Sequence, residues 1–124
     1  MQAATRVSKR SVTGASGAPV AILAFTGDIA STSKDAILDA FHGLEAGTAD
    51  VLLDFQHVEY INSSGIAIVI QLLLEANKRA SQTVGIFGLS SHFNKVFTMV
   101  GVARYATLSP DEATALSKLA LSKL

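Results

Sequence analysis

The chain has 124 residues, of which 49% are hydrophobic, a length and composition that suit one domain with a buried core. Its ten Lys and Arg balance ten Asp and Glu, so no global field draws nucleic acid, an anionic membrane or an acidic substrate. Cysteine is absent, which excludes disulfides, thiolate catalysis and cysteine metal sites and is compatible with a reducing cytoplasm.

Met1 to Arg10 contain no apolar run of the signal-peptide kind. The longest apolar stretch, Ile66 to Leu74, is interrupted by Gln71 and falls far short of the ~20 residues that cross a bilayer. A soluble, cytoplasmic chain with no membrane span is expected. Arg6, Lys9 and Arg10 lack aromatic interleaving and read as a solvated strand or tail rather than a nucleic-acid arm. Loose alternation from Arg6 to Val12 predicts an edge strand, and Thr13 to Pro19 has a turn composition that suits a hairpin loop. Val20 to Phe25 is a continuous apolar run of strand length, which suits a strand covered on both faces and stops at Thr26-Gly27-Asp28. Ser31, Thr32 and Ser33 offer N-caps for a first helix, with Asp35 in its first turn, Ile37, Leu38, Phe41 and Leu44 on its apolar face, and Gly43 or Gly47 at its end.

Val51 to Phe55 predicts a short apolar strand, followed by Asp54 to Ile66, where an apolar strand passes into an apolar helix through Asn62, Ser63, Ser64 and Gly65. That helix runs from about Ser64 to Ala80, and its apolar residues almost encircle it, so it must be largely buried or meet a partner. Lys78 and Arg79 fall in its last turn. Thr83 to Phe87 predicts the next strand, and a third helix starts near Ser90 or Ser91 with Phe93, Val96, Phe97 and Val100 on one face and Gly101 at its C-terminus. Ala106 to Leu108 suits a last short strand. The final helix has Ser109 as N-cap, Pro110 at its first position and Glu112 completing a capping box. Alternation of this kind predicts an α/β fold: a mainly parallel mixed sheet with an antiparallel hairpin edge and about four helices, without internal repeat or linker.

In such a sheet, sites gather at the carboxyl ends of strands, where both the Gly27-Asp28 loop and the Asn62-Ser63-Ser64-Gly65 junction fall. A helix start leaves N–H groups unpaired and carries the positive end of the macrodipole, so it can receive phosphate. Ser and Asn are equally ordinary caps there. An enzyme needs more than this stretch offers. His42, His57 and His92 have no metal-ligand spacing among them, the Gly-x-Ser-x-Gly elbow is missing around Ser63 and Ser64, and no phosphate loop with its lysine occurs. No catalytic residue, metal site or cofactor is expected. A phosphoacceptor needs only an exposed hydroxyl, a local structure that tolerates the modified form and a partner that senses the added charge. Ser63 is the first choice and Ser64 the second. Gly65 suits either room for a kinase or the phosphate, or a tight strand-to-helix contact.

The stretches Phe25 to Ile29, Val51 to Phe55 and Tyr60 to Ile66, then Gly88-Leu89-Ser90 and Phe97 to Val102, resemble in order and spacing the STAS domain, specifically the stand-alone anti-sigma-factor antagonists of bacteria. The resemblance covers about residues 6–120 and implies one STAS domain across residues 1–124. It implies a non-enzymatic binding module that docks, unphosphorylated, onto an anti-sigma factor with serine kinase activity and frees the sigma factor. Phosphorylation by that kinase at the second-helix start inactivates it, and a PP2C-type phosphatase reverses this. The acceptor position corresponds to Ser63, and Asp28, Asn62, Ser63, Ser64 and Gly65 would face the partner. One position departs: the acidic residue that normally precedes the acceptor is Asn62, which caps a helix as well as aspartate but carries no charge. The alternatives are a non-phosphorylated STAS scaffold or a small-ligand-binding module in a signalling assembly. Homodimerisation stays open.

Overall fold

The computed structural model describes residues 4–45, 47–78 and 82–121. Five strands, β1 (Arg6–Thr13), β2 (Pro19–Ile29), β3 (Asp50–Ile61), β4 (Thr83–Phe87) and β5 (Thr107–Ser109), lie side by side in chain order. β1 runs antiparallel to β2, and the other neighbours are parallel. The helices are α1 (Lys34–His42), α2 (Ser63–Asn77), α3 (Ser91–Met99) and α4 (Glu112–Leu121), with short 3-10 turns at Ser31–Ser33 and Val102–Arg104. This is the α/β architecture that the alternation predicts, with its hairpin edge and four helices.

The unbroken apolar runs of β2 and β3 have a direct cause: both faces of the sheet are covered. Leu23, Phe25, Val51, Leu53 and Phe55 point into the larger core with Ile37 and Phe41 of α1, Leu72 and Leu73 of α2, and Phe97 of α3. Val20, Ile22 and Leu52 point the other way, against Ala115 and Leu119 of α4. Phe55 holds the larger core together through edge-on contacts with Phe25 and Phe97, at ring separations of 5.3 and 5.8 Å.

Five elements differ from the sequence expectation. β2 continues past Phe25 to Ile29 and β3 past Phe55 to Ile61. The register slips between Ala24 and Thr26 and again between Gly27 and Asp28, each time with one extra residue in β3. Such bulges break the two-residue period and allow Gln56, His57, Glu59 and Tyr60 to stand exposed on a paired strand. The carboxylate of Asp54 accepts from Gln56 N at 2.9 Å and braces the first irregularity. At the start of α1, Ser33 is buried and its hydroxyl accepts from Ala30 N at 2.9 Å, so this serine closes a 3-10 turn instead of capping the helix with its side chain.

The cap of α4 is Asp111, whose Oδ1 accepts from Thr114 N at 2.8 Å. Ser109 is withdrawn from that role because it pairs with Phe87 as the last residue of β5. Finally, α3 is only thinly buried. Ser90 caps it as expected, accepting from Phe93 N at 3.2 Å, and Gly101 follows with φ +86°, but only Phe97 is buried and Val100 is 49% exposed. α2 begins at Ser63 and its described part ends at Asn77; the expected extension to Ala80, with Arg79, lies outside the described residues.

Candidate functional site

β3 delivers the chain to α2 through one residue. Asn62 is extended at φ −91° and ψ 178°, its Oδ1 accepts from Gly65 N at 2.8 Å, and its carbonyl accepts the first helical bond from Ile66 N at 2.9 Å. Asn62 is therefore the N-cap. Ser63 and Ser64 occupy the first and second helical positions, and both are exposed. With capping supplied by its neighbour, the Ser63 hydroxyl makes no hydrogen bond among the described residues.

The junction is clamped to the end of β2. Asn62 N donates to Ile29 O at 3.1 Å. Gly65 is buried against the same carbonyl: a Cβ built on it would lie 2.3 Å from Ile29 O and 2.7 Å from Ile29 C. Only a residue without a side chain permits this approach. Of the two roles that the sequence left open for Gly65, the geometry supplies the tight strand-to-helix contact, and the residue is buried.

Asp28 stands on the adjacent strand in register with Tyr60, one residue before Ile29. Its backbone is fixed from the other side: Thr5 Oγ1 donates to Asp28 O, and the Ser33 hydroxyl lies 3.3 Å from the same carbonyl. Asp28, Asn62, Ser63 and Ser64 thus occupy one rim of the sheet, as their positions at strand ends imply. No acidic residue falls in the first turn of α2, so its amide dipoles face solvent without a helix-borne counter-charge.

Two aromatic residues near the rim carry no signal as site residues in the sequence. Tyr60 is 54% exposed, three positions before Ser63, and its ring meets Phe93 edge-on at 6.1 Å. His92 packs on Phe93 at 5.0 Å. The polar junction is therefore flanked by an exposed aromatic surface of the kind that anchors protein partners. The exposed phase of Tyr60 would have been legible only with the bulge in β3 known.

No histidine is hydrogen-bonded to Ser63 among the described residues. His42 Nε2 bonds Glu75 Oε2 at 2.6 Å between α1 and α2, where both are partly solvated. That hydrogen bond holds the Glu75 carboxyl below its ordinary range. His57 is exposed on β3 in register with Thr26. Among the described residues no group of three or more His, Asp or Glu is placed to hold a metal ion, and no helix is long and apolar enough to cross a membrane.

Residues 10–115 match the model of the family described as the STAS domain. Similar solved structures include an anti-sigma factor antagonist from Mycobacterium paratuberculosis, 16% identical, covering 93% of each chain with a TM-score of 0.75. A serine-to-glutamate variant of RsbS from Moorella thermoacetica is 15% identical over 96% of this chain and 99% of its own, at a TM-score of 0.71. The phosphorylated form of the Bacillus cell fate determinant SpoIIAA is 16% identical over 91% and 98%, at 0.60. At these identities the likeness is one of fold.

Proposed function

The chain belongs to the STAS domain family, and on that premise we propose that it is an anti-sigma-factor antagonist switched by phosphorylation of Ser63. Unphosphorylated, it docks its Asp28–Ser63 rim on an anti-sigma factor with serine kinase activity and releases the sigma factor. Phosphorylation by that kinase ends the contact, and a PP2C-type phosphatase restores it. Transcription is regulated through this exchange, and the protein itself carries out no chemistry.

The observation that carries the reading is the division of labour at the junction. Asn62 caps α2, so the exposed Ser63 hydroxyl can be modified without removing the cap. Phosphate there adds ~1.5 to 2 negative charges, and the first-turn amides and helix dipole favour it by about 0.3–1 kcal/mol. The fold survives modification. A partner pressed against the rim instead meets a doubly charged group that must be desolvated, and repulsion of that kind costs several kcal/mol. The aromatic surface of Tyr60 and Phe93 supplies contact area for the unmodified state.

Incubation with the cognate kinase and ATP, followed by intact-mass and peptide mapping, should add one phosphate at Ser63. Ser63→Ala should retain partner binding and Ser63→Asp weaken it at least tenfold. Equal binding by the two variants overturns the switch. The absence of a carboxylate in the first turn of α2 favours one second reading, a STAS scaffold that works unphosphorylated; a chain that stays unmodified yet captures other STAS proteins supports it.

A further inference from the structure

The end of the sheet farthest from Ser63 carries a cavity of about 430 Å³ between the β1–β2 hairpin and the segment that follows α1. Its volume is in the range of small-molecule sites. The opening has a structural cause. α1 stops at His42, so it does not reach the lower part of the sheet face, and the residues left uncovered there are small. Ser11 and Ala21 face each other in register across β1 and β2, and Ala49 borders them just before β3. Buried Leu44 adds an apolar wall continuous with the larger core.

Two cationic residues, Lys9 and Arg10, border this apolar floor, and Lys9 is the one without a partner among the described residues. Lys9 lies on β1 two residues before Ser11, is exposed, and makes no ion pair or hydrogen bond among the described residues. Arg10, its neighbour, is instead paired with Glu112 of α4. Glu45 also borders the cavity, and its charge disfavours a multiply charged anion such as phosphate. An apolar floor, one unpaired ammonium and one carboxylate at the margin select a monoanion with a hydrocarbon body.

We propose that this cavity binds a small amphipathic carboxylate, with the hydrocarbon part on Ala21, Leu44 and Ala49 and the carboxylate against Lys9. Ala21 and Ile29 are eight residues apart on β2, roughly 25 Å along an extended strand. The site is therefore separate from the Ser63 rim.

Octanoate and octanol, titrated into the full-length chain and followed by two-dimensional amide NMR, test this. Octanoate should give saturable shifts centred on residues 9–11, 18–21, 44–45 and 47–49. Lys9→Ala should weaken octanoate about two- to fivefold, the effect of losing one solvent-screened charge pair, and leave octanol unchanged. Ala21→Phe should fill the cavity and abolish binding of both; if that variant does not fold, Ala49→Leu takes its place. Absence of saturable shifts at these amides, or undiminished binding by a folded cavity-filling variant, overturns the site. Equal octanoate affinity in the parent and Lys9→Ala overturns carboxylate recognition.

Discussion

Replacement of Gly65 by alanine separates the two roles that a glycine at a helix start can play. The added Cβ would sit 2.3 Å from Ile29 O, 2.7 Å from Ile29 C and 3.0 Å from its Cγ2. Ordinary carbon contacts need about 3.5 Å, so α2 and the end of β2 must separate by about 1 Å. Both backbones are held there: Asn62 N bonds Ile29 O at 3.1 Å, and Asn62 Oδ1 bonds Gly65 N at 2.8 Å. Overpacking of this kind costs about 1–3 kcal/mol, and the strained cap adds about 1 kcal/mol. Against these stands the better helix propensity of alanine, at most about 1 kcal/mol. A net loss of about 2 kcal/mol is expected, which for a chain of this length lowers Tm by roughly 6–12 °C. Urea unfolding with an unchanged m-value, alongside calorimetry, measures it. A variant as stable as the parent would falsify the close-contact account of Gly65, and if such a variant also resisted phosphorylation, the glycine would be serving kinase access instead.

Asn62→Ala removes the cap of α2 and should destabilise the chain by about 1 kcal/mol, whereas Asn62→Asp keeps the cap and adds a favourable charge at the helix start; denaturant midpoints in the order Asp, Asn, Ala from highest to lowest are expected. Asp111→Ala should lower Tm, because Asp111 caps α4, while Ser109→Ala should leave it unchanged or raise it, because the buried Ser109 hydroxyl has no hydrogen-bond partner among the described residues. The opposite order in a thermal melt would return the cap to Ser109. Glu75 is held below its ordinary value by its hydrogen bond from His42, so its contribution is present above about 4.5 and fades as pH falls through the lower folded value. Since the pair is partly solvated, the effect is small: Glu75→Gln should narrow its stability difference from the parent as pH drops from 5 to 3, and a difference independent of pH would contradict it.

Element order was legible because each strand and helix carries its own period, and β2 and β3 read as continuous apolar runs once both sheet faces are covered. The full reach of β3 was not legible. Gln56, His57, Glu59 and Tyr60 are polar or exposed, and two register slips scramble their alternation, so a rule based on apolar runs stops at Phe55. The amphipathic pattern of α3 overstated its burial for a related reason: periodicity shows which face is apolar, not how much protein is available to cover it. The cap of α4 went to Asp111 because strand pairing claims Ser109 first, a competition that no local motif reveals. Tyr60 and Phe93 come together only through tertiary packing.

The Asn-Ser-Ser-Gly stretch shows the same limit at the site itself. Sequence places two hydroxyls and an amide at a helix start but leaves open which of them closes the first turn, and a serine engaged as cap would lend its oxygen to a backbone N–H. Asn62 takes that role, and its amide hydrogen meets Ile29 from 33 residues earlier in the chain. A carboxamide does this without charge, so the first turn of α2 has amide dipoles, two exposed hydroxyls and no acid of its own. Capping by Asn62 leaves the Ser63 hydroxyl available, and the neutral side chain places no carboxylate at the cap. A neutral residue beside the proposed acceptor forgoes any help from a carboxylate but also avoids like-charge repulsion against an arriving phosphate, and Asn62→Asp tests both effects at once. A faster phosphate transfer in the aspartate variant would assign the carboxylate a role in orienting the hydroxyl, whereas a slower one would make the neutral cap the adaptation that favours the modified state.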